Sequence, residues 1–142
     1  MLIGTILRSK GSEVTTVGPD ATVRELLAKL AAHNIGAVVV STDGVTIAGI
    51  VSERDIVRCL HDRGAAILEE PVSTIMTAEV HTVGPDENVD SLRQIMTTQR
   101  FRHMPVVESD RLVGIVSIGD VVKSAIEELE TEKASLVDYL HR

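Results

Sequence analysis

The chain has 142 residues, a formal charge of −7 and only two aromatic side chains, Phe101 and Tyr139. A domain of this length buries roughly 68% of the surface its unfolded chain exposes, and here the core must be built from Val, Ile, Leu, Ala and Met. The charge argues against a nucleic-acid backbone or an anionic membrane as the main partner, although a local basic pocket can still hold a small anion. The lack of aromatics removes any stacking platform for single-stranded nucleic acid.

Residues 2–7 are apolar enough for a short helix or strand, before a Ser9-Lys10-Gly11-Ser12 loop. Val14 to Val17 reads as a short strand running into a Gly18-Pro19-Asp20 turn. Thr22 has the character of an N-cap, with Glu25 three residues on as its capping-box partner. Val23, Leu26, Leu27, Leu30 and Ala31 then fall on one helical face. Ala37 to Val40 is a buried strand, Thr42-Asp-Gly44 a hairpin-type turn, and Ile47 to Val51 the returning strand. The helix after it turns Ile56, Val57 and Leu60 inward and ends near Gly64. The lone cysteine, Cys59, excludes an intrachain disulfide and reads as a packed thiol in a reducing compartment.

Residues 65–70 form a brief helix or loop, and Val72 to Met76 leads onward. Val80 to Val83 is again a short strand, Gly84-Pro85-Asp86 repeats the turn, and Asn88 caps a helix burying Val89, Leu92, Ile95 and Met96. Met104 to Val107 is the central strand, Ser109-Asp110-Arg111 the turn, and Leu112 to Val116 the return. The final helix starts near Ser117 or Gly119 and runs to about Leu140. Its apolar stripe of Val122, Ala125, Ile126, Leu129 and Val137 is expected to pack on the other repeat or on a second chain.

The second half therefore repeats the first. Gly49-Ile-Val-Ser-Glu-Arg-Asp-Ile-Val57 recurs as Gly114-Ile-Val-Ser-Ile-Gly-Asp-Val-Val122. The fold class is α/β (α+β), with two β-α-β-β-α units packed as a pseudo-two-fold pair. The divisions expected are residues 2–64, a linker over 65–76, residues 77–126, and a helical extension over 127–142. No apolar run approaches membrane-spanning length and no signal-peptide pattern opens the chain, so a cytoplasmic protein is expected.

Neither a metal site nor an enzyme is nominated. His33, His61, His81, His103 and His141 are scattered and lie at no ligand spacing from one another or from Cys59. No nucleophile elbow, phosphate-binding loop or dinucleotide fingerprint is present. The Ser52/Asp55 and Ser117/Asp120 pairs have two readings. Ser-x-x-Asp at a helix start is a capping box. The same geometry offers a phosphate the helix N-terminus and a ribose the carboxylate. Arg102 and His103 open a core strand where the first repeat has Gly36 and Ala37, and Arg54 stands where the second has Gly119. Charge there suggests a ligand; pairing with Glu53 or Glu108 is the structural alternative.

These motifs resemble the CBS domain, found in tandem pairs called Bateman modules. The resemblance rests on the two Gly-Ile-Val-Ser-x-x-Asp segments, on Val72-x-x-Ile-Met-Thr77 and on Arg102-His-Met-Pro-Val-Val107, and spans residues 2–126. It is closest to the small stand-alone bacterial type. It implies a homodimeric, non-catalytic regulatory module that binds adenosine ligands (AMP, ADP, ATP, S-adenosylmethionine or NAD) between its repeats and reports to an unknown protein target. No cofactor is implied. Ser117 and Asp120, with Arg102 and His103, are implied for one cleft, walled by Thr15, Thr16 and Val17. Ser52, Arg54 and Asp55 are implied for the other, walled by His81, Thr82 and Val83. The Asp120 cleft is expected to be the stronger of the two. The rival expectations are a ligand-free interaction module that retains only the fold, and a fragment related to inosine monophosphate dehydrogenase, whose barrel is not present in this sequence.

Overall fold

In the computed structural model, which describes residues 1–11 and 13–142, each repeat is assembled by local rules that its sequence states openly. Thr22 caps the helix α2 (Val23–His33): its hydroxyl accepts from the Glu25 N–H at 3.1 Å, and the Glu25 carboxylate accepts from the Thr22 N–H at 3.3 Å. This reciprocal pair satisfies two donors that a helix start otherwise leaves open. The helix buries Val23, Leu26 and Leu30. Leu27 and Ala31, expected on the same face, are exposed, so the buried arc is narrower than the apolar one.

After Asn34, which takes the left-handed conformation at φ 51°, the chain enters the strand β2 (Ala37–Val40). All four β2 residues are buried because strands flank it on both sides. β1 (Thr16–Val17) pairs with it in parallel and β3 (Gly49–Ser52) antiparallel. β1 is thus shorter than the Val14–Val17 strand expected. The helix α3 (Glu53–Arg63) buries Ile56 and half-buries Cys59 and Leu60. Val57 corrects the expectation: it is 64% exposed. One residue beyond Ile56 lies about 100° round the helix, and α3 turns only a narrow stripe inward.

The second repeat carries α4 (Val89–Gln99), β4 (His103–Glu108), β5 (Arg111–Ser117) and α5 (Ile118–Leu140). Asn88 caps α4 by accepting from the Asp90 N–H at 2.8 Å, and Val89, Leu92 and Met96 are buried with Ile95 half-buried. Ser109 and Asp110 both have positive φ, at 51° and 61°, in the tight turn joining β4 to β5. The expected strand over Val80–Val83 does not form. Only Val83 bridges to β4, donating to the Pro105 carbonyl at 3.1 Å and accepting from the Val107 N–H at 2.8 Å. The ladder stops because the next bond would need an N–H on Pro105, which proline lacks.

The two repeats cover one another. The helix α1 (Ile3–Lys10) precedes the first repeat, yet its Ile3, Ile6 and Leu7 pack into the core of the second, beside Leu92, Met104 and Val116. Val72 and Ile75, which precede the second repeat, pack into the core of the first. Gly4 donates to the Pro85 carbonyl at 2.8 Å, just as Val72 donates to Ala21 at 2.8 Å. Two glycines make the exchange possible. A Cβ on Gly114 would lie 2.5 Å from Leu7 Cδ2, and one on Gly49 would lie 2.6 Å from Met76 Sδ and 2.8 Å from the Thr77 carbonyl. Of the Ser9–Ser12 loop expected, Ser9 and Lys10 belong to α1, Gly11 ends it at φ 96°, and Ser12 lies outside the described residues.

Of α5, only Val121 and Ser124 are buried. Within this chain the expected stripe stays open: Val122, Ile126, Leu129 and Val137 are all exposed, with Ala125 half-buried. No helix among the described residues is long and apolar enough to cross a membrane.

Candidate functional site

Both strand-to-helix junctions are capping boxes. Ser52 Oγ accepts from the Asp55 N–H at 3.3 Å, while Asp55 Oδ2 accepts from the Ser52 N–H at 2.8 Å and its hydroxyl at 3.0 Å. Ser117 Oγ accepts from the Asp120 N–H at 3.1 Å, and Asp120 Oδ2 from the Ser117 N–H at 2.8 Å. Each junction is also tied to the strand beside it: the Glu53 N–H donates to Gly36 at 2.9 Å, and the Ile118 N–H to Arg102 at 2.8 Å.

What differs is the second partner of each carboxylate. Lys10, at the end of α1, donates to Asp120 Oδ2 at 2.6 Å and to the Ile115 carbonyl at 2.9 Å. Burial pushes the Asp120 carboxyl upward, but the Lys10 ammonium and the Ser117 N–H outweigh it and hold it below the ordinary carboxylate range. Among the described residues Asp55 has no cation within ion-pair distance. The first junction therefore presents a carboxylate without a bound counter-ion, and the second does not.

Between the repeats lies a cleft of about 690 Å³. It gathers Ser52, Arg54 and Asp55 from the first repeat with His81, Arg102, His103 and Ser117 from the second. Seven of the residues anticipated from sequence thus share one wall or the other. The remaining six do not line it. Asp120 is held by Lys10, the Thr16 carbonyl accepts from Lys29 at 2.6 Å, Val17 and Val83 are core residues, and Thr15 and Thr82 lie elsewhere on the surface.

The walls are shaped by small residues and one ring pair. Gly36 and Ala37 leave room for the imidazole opposite: a Cβ on Gly36 would lie 3.6 Å from His103 Cε1 and 3.4 Å from Glu53 Oε1. Burial pushes the His103 imidazole below its ordinary value; Glu53 and Asp120 oppose this, and Lys10 and Arg102 add to it. It is therefore neutral at pH 7, able to donate from one nitrogen and accept at the other. His81 and Phe101 form a tilted ring pair with centroids 5.9 Å apart, placing the single phenylalanine on the cleft wall.

Arg58, Arg100 and Phe101 also line the cleft and were not anticipated. Arg58 could have been found: it lies four residues after Arg54 on the same helix, hence on the same face. Arg100 is the C-cap of α4 at φ 60°, where α2 has Asn34. Asparagine tolerates that left-handed conformation and arginine does not favour it. The combined surface offers guanidinium groups for an anion, a carboxylate for hydroxyl groups, and apolar walls. No group of acids, histidines or cysteine that could hold a metal ion occurs among the described residues.

Comparison with known proteins agrees with this architecture. The model of the CBS domain matches residues 5–62 and again 72–127. The chain is 36% identical over 149 residues to the CBS domain-containing protein CBSX3, mitochondrial, of Arabidopsis thaliana, covering 97% of this chain and 71% of that protein. Among solved structures it resembles a CBS-domain containing protein from Agrobacterium tumefaciens at 47% identity and a TM-score of 0.84, covering 88% of this chain and 99% of the other. It also resembles the CBS domain pair of protein MJ0100, solved in complex with 5′-methylthioadenosine and S-adenosyl-L-methionine. There the identity is 27% and the TM-score 0.76, over 87% of this chain and 98% of that one.

Proposed function

The chain belongs to the CBS-domain family as a small tandem pair, and from that premise we propose that it is a non-catalytic regulatory module whose central cleft binds an adenine nucleotide. One observation carries the reading. In a chain of net charge −7, the cleft between the repeats sets a carboxylate with no bound cation, Asp55, beside Arg54, Arg102 and a neutral imidazole. Asp55 accepts the ribose hydroxyls, Arg54 and Arg102 take the phosphates, and His103 donates to a phosphate oxygen. The base lies against Ile50, Val80 and the His81–Phe101 pair. That MJ0100 is solved with adenosyl ligands on the same fold supports the choice of nucleoside.

A ligand there touches α3 of one repeat and the start of β4 and α5 of the other. Its binding favours whichever packing of the repeats best closes on it, and α5 carries that change outward. The protein acts as a homodimer, supported by Val122, Ile126, Leu129 and Val137, which are exposed among the described residues.

Calorimetric titration of AMP, ADP, ATP, NAD and S-adenosylmethionine tests the reading, on wild type and on the Asp55→Asn variant. Asparagine keeps an oxygen for the Ser52 cap but is a poorer ribose acceptor. A tenfold or greater loss of affinity on this substitution is expected, on the order of 1.5–3 kcal/mol for hydrogen bonds to a charged group. No binding of any of these ligands up to millimolar concentration would overturn it and leave a ligand-free interaction module.

A further inference from the structure

We propose that the cleft selects its ligand by the length of its phosphate chain, holding the distal phosphates of a nucleoside di- or triphosphate in an arginine-walled annex. This deepens the adenine-nucleotide reading and rests on it. The annex, about 300 Å³, opens off the cleft and shares Arg54, Arg100, Phe101, Arg102 and Ile118 with it, adding Met96. It holds three guanidinium groups and not one carboxylate. The acids of the main cleft, Glu53, Asp55 and Glu79, lie outside it.

Elsewhere in this acidic chain four arginines pair with carboxylates, Arg24 with Glu69, Arg63 with Glu70, Arg93 with Asp90 and Arg142 with Asp138, while Arg8 and Arg111 stand singly without one among the described residues. Among the described residues, Arg54, Arg100 and Arg102 pair with none, and neither does Arg58 beside them. Three like charges gathered around one annex repel each other. Arg100 adds a conformational cost, at a left-handed helix end where the first repeat uses Asn34. A single phosphate carries about −1.5 to −2 charge, too little to answer three guanidiniums. A longer chain supplies both the charge and the reach. A neutral methylthioadenosine offers the annex nothing, and a sulfonium cation is repelled by it.

The test is calorimetry of adenosine, AMP, ADP, ATP and inorganic tripolyphosphate in magnesium-free buffer, on wild type, Arg54→Gln, Arg100→Gln and Arg100→Gly. Each added phosphate is expected to tighten binding about tenfold, the yield of one charge-assisted contact. Arg100→Gln is expected to weaken ATP about tenfold and AMP less than about twofold, whereas Arg54→Gln, at a residue that also takes the first phosphate, is expected to weaken both. Arg100→Gly relieves the left-handed strain, so it is expected to melt higher while still losing ATP affinity, which separates the contact from folding. Equal affinities for AMP and ATP would overturn the phosphate-length proposal and leave the adenosine reading intact. An ATP preference that survives all three substitutions would overturn the annex. Binding of tripolyphosphate without any adenosine ligand would uphold the annex and overturn the nucleotide reading. No binding by any of the five would overturn both.

Discussion

Replacing Lys10 by Met keeps the aliphatic length of the side chain and deletes only its ammonium. In the native protein that ammonium sits 2.6 Å from Asp120 Oδ2, with the two side chains 34% and 22% exposed. A fully exposed pair is worth about 0–1 kcal/mol, and breaking a fully buried one costs about 3–5 kcal/mol. At this intermediate exposure, discounted for solvent screening, the loss should be about 1–2 kcal/mol. Asp55 supplies a comparison, since it has the same reciprocal backbone cap bonds, one further bond from the Ser52 hydroxyl, and no cation among the described residues. Urea unfolding of wild type, Lys10→Met, Asp120→Asn and the double variant gives the coupling directly. The pH dependence follows from the depressed Asp120 carboxyl. Its contribution is fully present above the unfolded carboxylate value of about 3.9 and is lost as pH falls through the lower folded value. The Lys10→Met deficit should therefore shrink to nothing in strong acid. An undiminished deficit in the Asp120→Asn background would refute the pairing.

Three further outcomes can be checked independently. Gly114→Ala drives a Cβ against Leu7 and should cost about 1–3 kcal/mol in urea unfolding. Gly49→Ala should cost more, because the Thr77 backbone carbonyl it meets cannot rotate away, and Leu7→Ala should offset part of the Gly114→Ala loss but none of the other. His103, flanked by Glu53, Asp120, Lys10 and Arg102, has its imidazole lowered from 6.5, so the unfolded chain takes up the proton first. Stability should thus fall as pH drops from about 6.5 toward the lower folded value, and His103→Gln should flatten that slope. Introducing charge at Ile126→Glu with Leu129→Glu should convert a dimer to a monomer by analytical sedimentation; a wild-type monomer at tens of micromolar would count against the homodimer.

Much of the fold was legible because its signals are local. Thr22 with Glu25, Ser52 with Asp55 and Asn88 before Val89 each announce a helix within four residues, and the repeated Gly-Ile-Val-Ser run announces the pairing of units. The failures also have local causes. Pro105 truncates the strand expected at Val80–Val83, a signal that was present in the sequence, on the partner strand. The exposure of Val57 was not legible, since a helix with an apolar residue on each side of Ile56 can roll either way. At the site, Ser52, Arg54, Asp55, Arg102 and His103 could be named from charge in the wrong company. Lys10 could not. It meets Asp120 across 110 positions of sequence, and nothing along the chain joins them. The Asp120 cleft was expected to be the stronger because Gly36 and Ala37 replace the basic pair on the other side; in the structure Lys10, expected in a loop, holds Asp120 out of the cleft that Asp55 lines.

The exchange of covering segments has a consequence for how the chain comes to be folded. During synthesis α1 is made before either repeat, but its apolar face belongs against Val83, Leu92, Met104 and Val116. It must wait for nearly the whole chain to be made. The first repeat has no such delay, because its cover, Val72 and Ile75, follows directly. Local contacts form quickly and distant ones late. The order of events expected is then a nearly complete first repeat, a second repeat open on one side, and a closing step in which α1, made before both, docks last. That step brings Lys10 to Asp120, so the completion of folding and the closing of the second junction are one event.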